Sequence, residues 1–128
     1  MQTWTEIQDH FRKKYSLERD TPDMLSMVWM YEDGRSQKVI LRRYSSFGNE
    51  MLEVKSPFAH RDEIDPEVLM RKNSELPLAT TALAGDVYLV VYNMVLMGSV
   101  TEVLEMVVSR IAAIADALES EFSTADRF

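Results

Sequence analysis

Between Met24 and Phe58, three runs of alternating apolar and polar residues are separated by two short turn sequences. Little besides an antiparallel sheet accommodates that pattern, because successive strand side chains point to opposite faces. Leu25, Met27, Trp29 and Tyr31 fall on one face of the first run, with Met24, Val28 and Met30 on the other. Asp33-Gly34 supplies a hairpin turn in which glycine takes positive φ. The return run, Ser36 to Tyr44, sets Val39 and Leu41 against Lys38, Ile40, Arg42 and Tyr44. After the turn Ser45–Asn49, the third run places Leu52, Val54 and Phe58 inward and Met51, Glu53 and Lys55 outward.

The flanking segments read as helices and a second strand pair. Thr3 and Glu6 make a capping-box pattern ahead of Trp4, Ile7, Phe11 and Tyr15, one apolar stripe at helical spacing. Ser16 to Asp23 is polar and reads as a connection. Asp65-Pro66 is an N-cap followed by proline at the first helical position, predicting a short helix to about Asn73. Leu78–Leu83 and Val87–Val95 read as strands joined at Gly85-Asp86. A long helix is predicted from Ser99 to Phe122, with a second capping box at Ser99 and Glu102. Leu104, Val107, Ile111, Ile114, Leu118 and Phe122 form its core stripe, and Ser123 to Phe128 are expected to fray.

The expected architecture is therefore one α+β domain spanning residues 1–128, in the order α-βββ-α-ββ-α. It has a five-stranded antiparallel sheet packed against helices, the first and last helices covering one face. Its predicted core is Trp4, Ile7, Phe11, Leu52, Val54, Val87, Leu89, Leu104, Val107, Ile111 and Leu118.

Composition narrows the chemistry. The chain of 128 residues has no cysteine, which excludes disulfides, thiolate metal sites and a cysteine nucleophile. A net charge of −7 argues against general nucleic-acid binding. The charge is concentrated: residues 75–128 hold two basic and eight acidic side chains. Glu102, Glu105, Asp116, Glu119 and Glu121 read as a solvated face of the last helix that favours solubility; an acidic surface steering a basic partner is the sharper alternative. The longest apolar run, Val87 to Leu96, is too short for a membrane span, which needs about 20 residues. Met1 to Glu6 has no leader character, so a cytoplasmic protein is expected.

No catalytic constellation emerges. The four glycines do not cluster into a phosphate loop, and His10 and His60 stand far apart. Asp62, Glu63, Asp65 and Glu67 lack the glycine and spacing of a calcium loop and read as charge at a helix start. Arg35, Lys38, Arg42 and Arg43 beside Tyr44 could suggest a nucleic-acid strand face, but read more simply as a solvated one. The expectation is a non-enzyme with no metal, no cofactor and no membrane or nucleic-acid partner.

Nine methionines, three of them in Met24–Met30, either fill the core or form an adaptable apolar surface. Two strands apolar on both faces favour a covering partner, which brings Met27 and Trp29 forward as partner-binding candidates.

The element order resembles the type III secretion chaperone-like fold, including the YbjN family and class I secretion chaperones. Leu76-Pro77-Leu78, Ala84-Gly85-Asp86-Val87-Tyr88-Leu89, and the ending with Val103, Val107, Ile111, Ala115-Asp116 and Leu118-Glu119 carry the resemblance, together with Ser56-Pro57-Phe58. It implies a small acidic homodimer that binds apolar segments of a client protein or peptide. Family dimers use the middle helix and the following strands, here Val68, Leu69, Leu78, Val90 and Tyr92. The alternative is a small-molecule-binding domain with a pocket between the sheet and the last helix, lined by Trp29, Tyr31, Tyr88 and Tyr92.

Overall fold

The computed structural model describes residues 3–122 and 128. The elements are α1 (Trp4–Lys14), β1 (Leu17–Thr21), β2 (Met24–Met30), β3 (Ser36–Ser46), β4 (Asn49–His60), α2 (Pro66–Lys72), β5 (Thr80–Ala84), β6 (Val87–Val95) and α3 (Thr101–Phe122), with one 3-10 turn at Arg61–Glu63. All strands join one antiparallel sheet in the order β1-β2-β3-β4-β6-β5. The α+β class and the antiparallel sheet agree with the sequence reading; the sheet has six strands rather than five. Of the frayed ending expected at Ser123 to Phe128, residues 123–127 lie outside the described residues. No described helix is long and apolar enough to cross a membrane.

The additional strand is β1, whose sequence Leu-Glu-Arg-Asp-Thr carries almost no apolar signal. Tertiary contacts hold it. Leu17 and Asp20 pair with Met27 and Leu25 of β2. Arg12 of α1 grips Asp20 with two hydrogen bonds of 2.7 and 2.8 Å. A short, charged edge strand also discourages pairing with foreign strands.

A single core joins one face of the sheet to all three helices. Leu25, Met27, Val39, Leu41, Leu52, Val54 and Val90 meet Trp4, Ile7 and Phe11 of α1, Leu69 of α2, and Leu104, Val107, Val108, Ile111 and Ala115 of α3. Thr3 and Asp65 cap their helices as the sequence indicates: Thr3 Oγ1 accepts from the Glu6 N–H at 3.2 Å, one half of the expected capping box, and Asp65 Oδ1 accepts from the Glu67 N–H at 3.0 Å. Helix α3 starts two residues after the expected Ser99, its first main-chain bond running from the Leu104 N–H to the Val100 carbonyl.

Two expected core residues lie on the opposite face of β6, where Leu89 is buried as expected and Val87 is only half-buried. Tyr92 pairs with Val54 and Val90 with Ser56, so Tyr88, Val90 and Tyr92 turn toward the helices while Val87 and Leu89 face the opposite side. Because β6 is apolar on both faces, its composition could not choose between them; the ladder with β4 does, since one step of register exchanges the faces.

The β3–β4 hairpin turns on Phe47-Gly48, both at positive φ (51° and 77°). Two consecutive positive φ values suit the right-handed twist of a hairpin, and asparagine and glycine are preferred there. Phe47 is 99% exposed and is supported by no packing. Replacing Phe47 by Asn is expected to raise stability by up to about 1 kcal/mol, because asparagine tolerates this conformation better. Urea unfolding of the F47N variant checks this; a loss of stability would contradict it.

Candidate functional site

Of the acidic residues of α3, Glu102 and Glu121 are exposed as the charge pattern suggested, whereas Glu105, Asp116 and Glu119 turn sideways and inward. Glu105 faces α1, where its carboxylate meets His10 Nε2 at 2.6 Å, the Tyr15 hydroxyl at 2.8 Å and Lys14 Nζ at 3.1 Å. Near the other end, Arg35 from the β2–β3 turn reaches Asp116 at 2.8 Å and Glu119 at 3.2 Å. Glu119 is fully buried. A buried carboxylate must be paired and hydrogen-bonded to remain charged, and Arg35 supplies the cation. Burial opposes ionisation of Glu105, but hydrogen bonds from His10, Tyr15 and Lys14 outweigh it and hold its carboxyl below the usual range. Burial, with the Glu105 hydrogen bond, pushes the Tyr15 hydroxyl well up.

Between the exposed Glu102 and Glu121, the outer side of α3 is largely apolar. Val103, Met106, Ala113 and Ala117 are exposed at spacings that form a second stripe, with Arg110 between them. Met106, Arg110, Ala113, Ile114 and Ala117 line a groove of about 380 Å³ whose other wall is Pro77 and Leu78. The Ala79 N–H donates to the Pro77 carbonyl at 2.8 Å around Leu78, which has φ +70°. An i to i+2 bond at that φ is the rare, strained form of γ-turn. It stands Leu78, expected within a strand, at the rim of the groove.

The second surface is the face of the sheet turned away from the core. Val28, Ile40, Val87 and Leu89 surround an open depression of about 620 Å³, with Lys38, Lys55, Pro57 and Phe128 also at its lining. Phe128 sits at one end: its carbonyl accepts from the Lys38 N–H at 2.7 Å, its N–H donates to Glu119 at 3.2 Å, and its ring lies 5.3 Å from His60. Met30 on the same face is 68% exposed. The charged side chains here pair with one another: Arg42 with Glu53 across the strands at 2.9 Å, Lys55 with Glu53 along β4 at 2.9 Å, and Lys38 with Glu18 at 2.8 Å. Arg43 is likewise engaged, by Glu50 and Asp23. The arginines singled out in the sequence are thus each matched by a carboxylate.

The sequence-predicted partner residues separate into three groups. Met27, Leu69 and Val90 are buried in the core, so the monomer does not present them. Trp29 and Tyr92 are partly buried and pack against that core, Trp29 with its ring 5.6 Å from Tyr15. Val68 and Leu78 are exposed. Of the four rings assigned to a small-molecule pocket, Tyr88 stacks on Phe58 and donates to the Ile64 carbonyl at 3.0 Å. Between sheet and α3 lie the fully buried Val108, Ile111, Ala112 and Ala115.

A polar cleft of about 700 Å³ lies among His60, Arg61, Asp62, Glu63 and Asp86. Among the described residues, no group of three or more His, Asp or Glu is placed to hold a metal ion. No family model matches the chain, and no curated protein matches it.

The Glu105 cluster has a pH signature. A depressed carboxyl pKa stabilises the fold above the ordinary carboxylate range, and that contribution is lost as pH falls through the folded-state value. Glu105→Gln is expected to destabilise the protein by about 1–3 kcal/mol near neutral pH. The difference from the native chain should shrink steadily in acid. Urea titrations across that range measure it, and a pH-independent difference would contradict the assignment.

Proposed function

We propose that the chain is a non-enzymatic, homodimeric protein-binding module of the type III secretion chaperone-like kind, acting in the cytoplasm. It would take up apolar, extended segments of a partner protein. The observation that carries this reading is one-sided coverage: all three helices pack on a single face of the sheet, and the other face keeps apolar side chains around an open depression. A sheet face of this kind suits a peptide whose alternate side chains enter apolar positions. Methionines at its rim, Met24, Met30 and Met51, add surface that can repack around different side chains. The cations on this face are paired with carboxylates, Glu53 being shared by Arg42 and Lys55, which suits a client of little net charge.

The resemblance to the YbjN family and class I secretion chaperones is consistent with the α+β fold, with two departures. Strand β1 makes the order α-ββββ-α-ββ-α, and Met27, Leu69 and Val90, among the residues predicted to bind a partner, are core residues here. The client surface is therefore assigned to the open sheet face and not to those residues.

Titration with labelled ten-residue peptides of alternating apolar sequence tests the reading. Binding should shift the amide resonances of β2, β3 and β6 around Val28, Ile40 and Leu89. Val28→Asp, at an exposed position, should weaken binding at least tenfold while leaving the circular dichroism spectrum intact. Unchanged affinity in V28D, or no binding by any such peptide, would contradict the proposal.

A further inference from the structure

The outer stripe of α3 has an internal order that points to its occupant. Continued by one more step, it runs Val103, Met106, Arg110, Ala113, Ala117, Ser120, at alternating spacings of three and four. That is the heptad spacing of a helix–helix seam. Its first three side chains are large and its last three are small. When two copies of such a helix lie antiparallel, each layer joins a residue from the first half of one to a residue from the second half of the other. The layers become Val103 with Ser120, Met106 with Ala117, and Arg110 with Ala113. Every layer then matches a large side chain to a small one, as close helix packing requires. A foreign helix has no reason to match that order, whereas a second copy matches it by construction through a two-fold axis.

Two further observations agree. Val103 and Met106 are 46% and 43% exposed on a helix whose opposite stripe is fully buried, so this face is apolar without being core. Arg110 is the only cation on α3. No ion pair holds it among the described residues, unlike Arg35, Arg42 and Arg43. Its aliphatic stem can lie over Ala113 of a second copy while the guanidinium stays at the wet rim. Leu78, held outward by its γ-turn, borders the same groove and would close its flank.

We propose that the chain dimerises through the outer face of α3, antiparallel to α3 of a second copy, about a two-fold axis midway between Arg110 and Ala113. This rests on the homodimer reading above and places the interface elsewhere than the middle helix and following strands that the resemblance implied.

The chain has no cysteine, so engineered thiols report without background. In Met106→Cys/Ala117→Cys the two thiols of one helix are about 16 Å apart along its axis and cannot bond to each other. Under mild oxidation this variant should become a covalent dimer. Val103→Cys alone should not, because its counterpart would stand about 25 Å away along the antiparallel pair. Ala113→Arg, at an exposed position, would set arginines against each other and should weaken the dimer at least tenfold with its circular dichroism spectrum unchanged. Light scattering on the native chain over a concentration series separates the possible failures. A dimer that persists in A113R and does not cross-link through positions 106 and 117 overturns this interface and leaves the homodimer reading standing. Rapid cross-linking of V103C alone indicates a parallel pair and overturns the geometry. A native chain that stays monomeric up to millimolar concentration overturns both.

Discussion

Carboxylates at its two edges fix the rotation of helix α3 on the sheet. An aliphatic stripe alone would let a long helix roll by a fraction of a turn at modest cost, because dispersion contacts are many and individually weak. Glu105, bound to His10, Tyr15 and Lys14, fastens one edge to α1. Asp116 and Glu119, bound to Arg35, fasten the other to the β2–β3 turn. Removing Arg35 would take a cation from a fully buried carboxylate, which also accepts from the Phe128 N–H, so this pairing is strongly directional. The same pins determine which residues α3 turns outward. Its outer face holds Val103, Met106, Ala113 and Ala117, with the exposed Glu102 and Glu121 at its two ends.

One-sided burial shapes the rest of the molecule. An antiparallel sheet can leave one face to solvent, and here all helices gather on the other. The edges are blunted by the short, charged β1 and the short β5. The α3 seam and the open sheet face lie on opposite sides of the domain. In the proposed dimer, α3 would pack in the middle and the two open sheet faces would point away from each other. Self-association and client binding would then not compete for the same surface.

The parts of the fold most legible in the sequence were those with a clean period or a specific turn chemistry. The alternation from Leu25 to Phe58, the Asp65-Pro66 cap and the aliphatic stripe of α3 each found their place. Strand β1 escaped because its stability comes from Arg12 and from β2, neither of which is local. Val87 and Leu89 were grouped with the helix-side core because a strand apolar on both faces carries no sign of which face meets the helices; Leu89 is buried on the opposite face. The acidic residues of α3 looked solvated because a sequence does not show that Arg35, more than 80 residues away, arrives beside them. The outer seam was present as a spacing pattern, but the stronger aliphatic stripe on the same helix obscured it. Leu78 could not have been placed at all, since a strained γ-turn has no sequence signature.

In the proposed assembly the two apolar surfaces have different fates, one covered by a second copy and one left open. Relaxation enhancement of methyl resonances by a neutral soluble paramagnetic agent tests it directly. At high protein concentration, the account predicts strong enhancement for Val28 and Met30 and protection for Val103, Met106, Ala113 and Ala117, the protection disappearing on dilution. Equal enhancement of Met106 and Met30 at every concentration would contradict it, as would protection of the sheet face in the absence of any client.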